Sequence, residues 1–117
     1  MPELQSTPRF TIEFLAEARQ FLKTLSDETK QDIVTDLKTA TLTVNNKFFK
    51  KLKNTDIWEF RSKSNNMQYR LLAFWDKTRK SMIIATHGFI KKTQKTPKDE
   101  IKKAEKLMKE YYNNKRR

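Results

Sequence analysis

Residues 83–101 constrain the fold of this chain more than any other segment. The segment begins with an apolar run that predicts a buried strand, and Gly88, the only glycine of the sequence, indicates where the chain leaves the sheet. Thr96, Pro97 and Asp99 predict the start of a helix, because a hydroxyl caps the first turn, proline suits the first helical position and an acid complements the free amide groups. The loop between strand and helix is therefore held at both ends by ordered structure.

Three lysines lie in this loop. Because the loop is held at both ends, the ammonium groups of Lys91, Lys92 and Lys95 are confined to one region, which favours an anion-binding site over a flexible tail. A surface that binds polyanions without any direct part in chemistry is the other interpretation of the same cluster.

The positive charge of the chain is confined to its last 71 residues. Residues 1–46 carry five basic and seven acidic side chains, whereas residues 47–117 carry 21 basic and seven acidic ones, which accounts for the net charge of +12. A field of that sign attracts polyanions, so nucleic acid or an acidic protein is the expected partner. The alternative is a solvated basic surface that keeps the protein soluble.

Length and composition predict one small domain, residues 1–117, with a single modest core. The absence of cysteine excludes disulfides and thiolate metal sites. The first eight residues lack the charge and the apolar stretch of a signal peptide, and no segment approaches the length of a membrane span, so we expect a cytoplasmic protein with no membrane partner. Residues 113–117 predict a frayed basic end.

The first half of the chain predicts a strand followed by a helical hairpin. Phe10, Ile12 and Phe14 alternate with polar residues, which is typical of a strand with one buried face. Apolar residues then recur at helical spacing in residues 18–25 and, after a cap at Ser26, in residues 33–40. Residues 42–52 fit either a strand over 41–44 or a single helical turn around the two phenylalanines.

The second half predicts an antiparallel three-strand meander and a C-terminal helix. Branched and aromatic residues fill segments 57–61, 68–75 and 82–87, and apolar residues after Pro97 recur at helical spacing. The order of elements predicts an α+β domain with its helices on one side of a twisted sheet.

The first hairpin of the meander predicts its own register. If Asn65 and Asn66 are the central residues of a tight turn, Arg61 lies directly opposite Arg70 on one face of the sheet. Like charges so placed destabilise a sheet, which suggests either an anion between them or partial compensation by Glu59, two residues back on the same face. The opposite face, which would pack on the helices, carries Trp58, Phe60, Leu71 and Ala73.

The sequence lacks the residues that most kinds of catalytic site require. One histidine without cysteine makes a metal site improbable, no motif supplies a nucleophile triad, and a single glycine excludes a glycine-rich phosphate loop, so we expect no metal and no cofactor. Fixed cations suit RNA cleavage by the RNA's own 2′-hydroxyl, because they stabilise the charge that gathers on the phosphate.

The proton transfers of such a reaction have two kinds of candidate. Mutual repulsion among Lys91, Lys92 and Lys95 depresses an ammonium pKa and predicts a base or an acid, and His87 is the other titratable group. Both sets also have structural interpretations, because His87 at a strand end is commonly a hydrogen-bonded core residue. A structural salt bridge is likewise the alternative for Arg61 and Arg70.

Three strings of residues resemble the phage-related HigB-type branch of the RelE/ParE toxin superfamily. They are Ile-Trp-Glu-Phe-Arg at 57–61, Tyr-Arg-Leu-Leu-Ala-Phe at 69–74 and His-Gly-Phe-Ile-Lys-Lys-Thr-Gln-Lys-Thr-Pro at 87–97. The likeness covers about residues 10–112 and is strongest after residue 50. It implies a RelE-like fold, the toxin of a type II toxin–antitoxin pair, and ribosome-dependent endoribonuclease activity on mRNA. The implied partners are the ribosome, its mRNA and a cognate antitoxin that is acidic or carries a helix-turn-helix.

The resemblance also assigns roles to individual residues. Arg70 matches the arginine that contacts the scissile phosphate in RelE-like members, Arg61 matches a basic position on the preceding strand, and Lys91 and Lys92 match the basic loop. The tyrosine that many members carry after this loop is absent between Lys91 and Ile101, which leaves the proton donor open. The predicted catalytic residues are Arg61, Arg70, Lys91, Lys92 and His87, and the predicted RNA-binding residues are Lys50, Lys51, Lys53, Lys95 and Lys98.

Two other functions remain open at this point. A DNA gyrase poison of the ParE kind shares the fold but generally lacks the basic cleavage residues. A noncatalytic nucleic-acid-binding module needs only the net charge of +12.

Overall fold

The computed structural model describes residues 8–43 and 47–115. In these ranges the chain forms β1 (Thr11–Phe14), α1 (Ala16–Lys23), α2 (Asp27–Leu42), β2 (Phe49–Lys51), β3 (Trp58–Ser64), β4 (Met67–Trp75), β5 (Met82–Lys91) and α3 (Lys98–Lys115). The predicted α+β class and its elements, the N-terminal strand, the helical hairpin, the meander and the C-terminal helix, are confirmed, and the architecture is compatible with a RelE-like fold. No helix within the described ranges is both long and apolar enough to cross a membrane.

All the strands form one five-stranded sheet in the order β1-β5-β4-β3-β2. β2 to β5 pair antiparallel, whereas β1 runs parallel to β5 and pairs along Thr11–Phe14. Neither interpretation of residues 42–52 is right. α2 continues through Leu42, and Phe49 begins a strand because its ring stacks on Phe60 at 4.3 Å across the β2–β3 pair. Residues 44–46 lie outside the described residues.

The helices lie on both faces of the sheet, so the prediction of helices on one side is wrong. α1 and α2 pack on the face that carries Phe60, Leu71 and Ala73, and α3 packs on the face that carries Leu72 and Phe74. The predicted single core is therefore two hydrophobic clusters, one on each face. The physical reason is the uninterrupted apolar run in β4, which buries consecutive side chains and so buries both faces.

α3 is held on the sheet by an apolar face, in which Ala104 is fully buried, and by polar contacts near its ends. Near its C-terminus the Tyr111 hydroxyl and the Lys115 ammonium donate to Asp76, whose side chain is fully buried; the Lys115 distance is 3.0 Å. The Arg79 guanidinium donates to the same carboxylate at 3.1 Å. α3 therefore continues through Lys115, so the predicted frayed end is wrong for residues 113–115, and residues 116 and 117 lie outside the described residues.

The start of α3 differs from the predicted cap. The Thr96 hydroxyl donates to Glu59 instead of accepting from the first turn. The Pro97 carbonyl accepts from the amides of Glu100 and Ile101 at 3.1 and 3.2 Å, and the helix begins one residue later, at Lys98. The predicted capping bond from a first-turn amide to Thr96 does not occur among the described residues.

Gly88 does not mark the end of a strand as predicted, because β5 continues through Lys91. It marks a close approach instead. A Cβ atom at this position would lie 2.2 Å from Cδ2 of Phe21, which packs from α1. Glycine is needed where the aromatic ring crosses the strand.

Replacing Gly88 by alanine is expected to destabilise the protein by about 1–3 kcal/mol, since the ring of Phe21 must move out of its packed position. Denaturant unfolding measures this loss. A double variant, Gly88→Ala with Phe21→Leu, should show strong coupling, because the smaller side chain relieves the overlap. If the double variant loses as much stability as the two single variants together, the proposed contact is contradicted.

Candidate functional site

The register of the β3–β4 hairpin is the predicted one. Asn65 and Asn66 form the turn with φ angles of 50° and 65°, in the left-handed region that asparagine tolerates. Arg61 pairs with Arg70 across the strands, so both side chains leave the same face of the sheet. This face is the one on which α3 packs.

Glu59 compensates the positive charges of the two arginines, as predicted. Its side chain is fully buried, and its Oε1 atom lies 3.0 Å from Nε of Arg61 and 3.5 Å from Nε of Arg70. Its Oε2 atom accepts the hydroxyl hydrogen of Thr96 from the loop before α3. One buried carboxylate therefore joins the arginine hairpin to the lysine loop.

Arg70 is a buried cation whose donors are not all used. Its terminal nitrogens donate to the Tyr69 carbonyl at 3.0 Å and to Gln68 Oε1 at 2.8 Å. Its Nε atom is buried and makes no hydrogen bond to any described residue, because Glu59 lies too far away in poor geometry. Burial lowers the pKa of Arg70, Glu59 raises it and Arg61 lowers it. The guanidinium therefore keeps N–H hydrogens that no described residue accepts.

The lysine loop completes a concave surface around the arginines. Lys91 is the last residue of β5 and pairs with Gln68 of β4, so it lies on the sheet and not in the loop as predicted. Lys92 follows it and is exposed. This surface, called here the cationic cleft, is lined by Arg61, Gln68, Arg70, Lys91, Lys92, Thr93 and Gln94.

Lys91 has the depressed pKa that the sequence predicted, but for a different reason. Burial lowers the pKa most; Glu59 opposes this, and the charges of Arg70 and Arg61 lower the pKa further. The predicted cause, repulsion from neighbouring loop lysines, is not among the main ones. A lowered pKa makes the neutral amine of Lys91 more accessible than that of an ordinary lysine.

His87 does not line the cationic cleft. Its side chain is only 3% exposed, and its ring nitrogens contact Glu100 Oε1 at 2.9 Å and Thr86 Oγ1 at 3.1 Å. Burial lowers the pKa of His87, while the hydrogen bond that Glu100 accepts from the ring raises it. These contacts fit the structural interpretation, in which the imidazole fixes the first turn of α3.

The five lysines predicted to bind RNA do not form one group. Lys50 pairs with Glu59 across β2 and β3, and its charge contributes to the lowered pKa of Lys91, so it lies beside the cleft. Lys51 lines a different concave surface with Trp58 and Trp75. The other three are exposed and do not line the cleft: Lys53, Lys95 and Lys98.

Sequence reasoning missed Gln68, Thr93, Gln94 and Thr96. Gln68 had a signal, since it lies two residues before Arg70 and therefore on the same face of the strand. The contact between Thr96 and Glu59 spans 37 residues and had none. No group of three or more histidine, aspartate and glutamate side chains that could hold a metal ion occurs in residues 8–43 and 47–115.

Comparison with known families gives one match. Residues 20–109 match the family described as phage-derived protein Gp49-like (DUF891), a stretch that includes both arginines, the lysine loop and most of α3. A comparison with curated proteins finds no match.

Proposed function

Because this chain belongs to the Gp49-like family of phage-derived proteins, we propose that it is the toxin of a type II toxin–antitoxin pair and cleaves mRNA on the translating ribosome. Membership of the family is consistent with the toxin of a toxin–antitoxin pair. The observation that carries the proposal is the cationic cleft, in which two guanidinium and two ammonium groups converge on one concave surface. The RelE/ParE superfamily and its HigB-like branch are the wider relationship that we propose for it.

The proposed reaction uses a nucleophile that the RNA itself supplies. A 2′-hydroxyl attacks the adjacent phosphorus, the bond to the 5′-oxygen of the next nucleotide breaks, and the products carry a 2′,3′-cyclic phosphate and a 5′-hydroxyl. Negative charge gathers on the phosphate oxygens in the transition state, where Arg61 and Arg70 donate hydrogen bonds. Glu59 holds both arginines in position, so no reorganisation is needed when the charge develops.

The proton transfers fall to the two lysines of the cleft. Lys91, whose pKa burial lowers, is the base that takes the proton of the 2′-hydroxyl when its amine is neutral. Lys92 is exposed at the rim and protonates the departing 5′-oxygen as an ammonium group. Lys92 is thus the proposed proton donor in place of the tyrosine that this loop lacks.

The rate of cleavage is expected to rise with pH below the pKa of Lys91. A lysine acts as a base only when deprotonated, and a depressed pKa brings this rise below the usual lysine value of about 10.4. The measurement is a pH profile of single-turnover cleavage. Lys91→Arg keeps the charge but should lose both the rise and most of the rate.

Lys95→Arg is the matched control for this profile, because Lys95 lies in the loop after Lys91, outside the cleft, and should keep the wild-type profile. A Lys91→Arg variant with an unchanged pH profile would assign the base to another group.

The proposed partners follow from the same chemistry. The ribosome presents its mRNA to the cationic cleft, and an antitoxin that is acidic, or that carries a helix-turn-helix, neutralises the toxin. The net charge of +12 supports both contacts, since rRNA and an acidic segment are polyanions. A protein that acts on translating bacterial ribosomes works in the cytoplasm.

Induction of the protein in cells, with mapping of mRNA 5′ ends, tests the proposed function. We expect growth arrest and new 5′ ends within coding regions, both reduced by Arg70→Ala and by Lys92→Ala. Growth arrest with intact transcripts and DNA damage would instead identify a gyrase poison. The absence of growth arrest would favour a noncatalytic binding module.

A further inference from the structure

A second concave surface opens from the cationic cleft toward the edge of the sheet. The two surfaces share Arg61, Gln68 and Arg70, so they are continuous. The second surface, called here the Phe48 limb, is lined in addition by Asp36, Lys47, Phe48, Ser62 and Lys63. The proposed reaction gives these five residues no role.

Phe48 is held beside the arginines by the backbone. The amide of Arg61 donates to the Phe48 carbonyl at 2.9 Å, which extends the pairing of β2 with β3 by one residue. Its ring is half-buried against the core on the α1–α2 side and also lines the limb. Residues paired across antiparallel strands have Cα atoms about 5 Å apart. The backbone of Phe48 therefore lies beside that of Arg61, and both residues line the limb.

The charges of the limb are arranged for a ligand with a neutral planar part and an anionic part. Lys63 is exposed on one wall, and the Lys47 ammonium lies over the face of the Phe48 ring, 5.6 Å from its centre. A base that stacks on this face takes the place of the ammonium group. Asp36 on α2 accepts the hydroxyl hydrogen of Ser62 at 2.6 Å and disfavours a phosphate on its side. A nucleotide meets these conditions when its base lies on the ring and its phosphate points to the lysines.

We propose that the Phe48 limb binds the nucleotide adjoining the scissile phosphate, with its base stacked on Phe48 and its own phosphate between Lys47 and Lys63. The inference rests on the proposed function, because the scissile phosphate is the one held by Arg61 and Arg70. It adds a subsite to the cleft and predicts that one base of the substrate is bound by stacking rather than read by hydrogen bonds. Such a contact tolerates different bases, since every base has a π-face.

Two substitutions at Phe48 separate stacking from packing. Phe48→Leu keeps an apolar side chain against the core but removes the π-face, whereas Phe48→Tyr keeps both. In ribosome-dependent cleavage we expect Phe48→Leu to raise KM by roughly 5- to 100-fold, the range measured for loss of one stacked base, with little change in kcat. Phe48→Tyr should stay within about twofold of wild type, and thermal unfolding checks that both variants are folded.

An mRNA with an abasic nucleotide beside the cut site provides the matched test. On this substrate the KM of wild type should rise by the same factor by which Phe48→Leu raises KM on normal mRNA. The KM of Phe48→Leu should not rise further on the abasic mRNA, because this variant already lacks the stacking contact. Equal KM values for wild type and Phe48→Leu, alongside slow cleavage by Arg70→Lys, would overturn the subsite and leave the proposed function intact. A KM raised equally by Phe48→Tyr would overturn it as well, since that pattern indicates packing. If the wild type cleaves no mRNA, the proposed function fails and the subsite falls with it.

Discussion

Replacing Arg70 by lysine is expected to slow mRNA cleavage by about 100-fold or more. A buried guanidinium that contacts the phosphate in the transition state contributes about 3 kcal/mol. The lysine side chain is shorter, and its ammonium group cannot reproduce the planar set of donors. Lysine keeps the charge beside Glu59, so the fold should survive. The measurement is single-turnover cleavage on programmed ribosomes at saturating enzyme.

Arg79→Lys is the matched control for Arg70. Arg79 also pairs with a buried carboxylate, that of Asp76, but it lies in the turn between β4 and β5 and does not line the cationic cleft. We expect its cleavage rate to stay within about twofold of wild type. If Arg70→Lys is no slower than Arg79→Lys, Arg70 has only the structural salt-bridge role.

Replacing Asp76 by alanine is expected to lower the free energy of unfolding by about 3 kcal/mol, the lower part of the range for breaking a buried charged network. The fully buried carboxylate joins the β4–β5 turn to α3 through Thr78, Arg79, Tyr111 and Lys115. In the variant the charged groups of Lys115 and Arg79 can be hydrated, which keeps the loss of stability below the upper end of that range. Denaturant unfolding gives the value, and Asp56→Ala, at an exposed position, should change it by less than about 0.5 kcal/mol.

The same carboxylate predicts a direction for acid unfolding. Burial raises the pKa of Asp76, but hydrogen bonds from Thr78, Tyr111 and Lys115 outweigh it and hold the pKa below the usual range. A folded pKa below the unfolded value of about 3.9 means that the stabilisation is complete above that pH and is lost as the pH falls further. Wild type should therefore lose more stability than Asp76→Ala between pH 5 and pH 2. Parallel losses would contradict this role of Asp76.

Local patterns predicted the parts of the fold that depend on local chemistry. Asn65 and Asn66 fix a two-residue turn, and the turn alone fixes Arg61 opposite Arg70. The helices on both faces were missed although the sequence carried a signal, since the run 71–74 in β4 has no polar residue to face water. The role of Gly88 had no local signal, because it depends on a ring that arrives from α1, 67 residues earlier.

The candidate site was predictable where it follows from strand order and not where it follows from tertiary contact. Lys91 ends the strand beside Arg70 and Lys92 follows it, so their position near the arginines follows from the meander. The contact of Thr96 with Glu59 was not predictable from local sequence, because the two residues are 37 positions apart. Phe48 was not assigned to the site because residues 42–52 fit both a strand and a helical turn.

The chemistry of the cut ends tests the central claim most directly. The claim is that fixed cations on the β3–β4 hairpin and at the end of β5 stabilise attack by a 2′-hydroxyl on the adjacent phosphate. Purified protein and programmed ribosomes should therefore give an upstream fragment that ends in a 2′,3′-cyclic phosphate, and a single 2′-deoxy nucleotide at the cut site should block the reaction. An upstream fragment with a 3′-hydroxyl, or undiminished cleavage of the 2′-deoxy mRNA, would contradict the account.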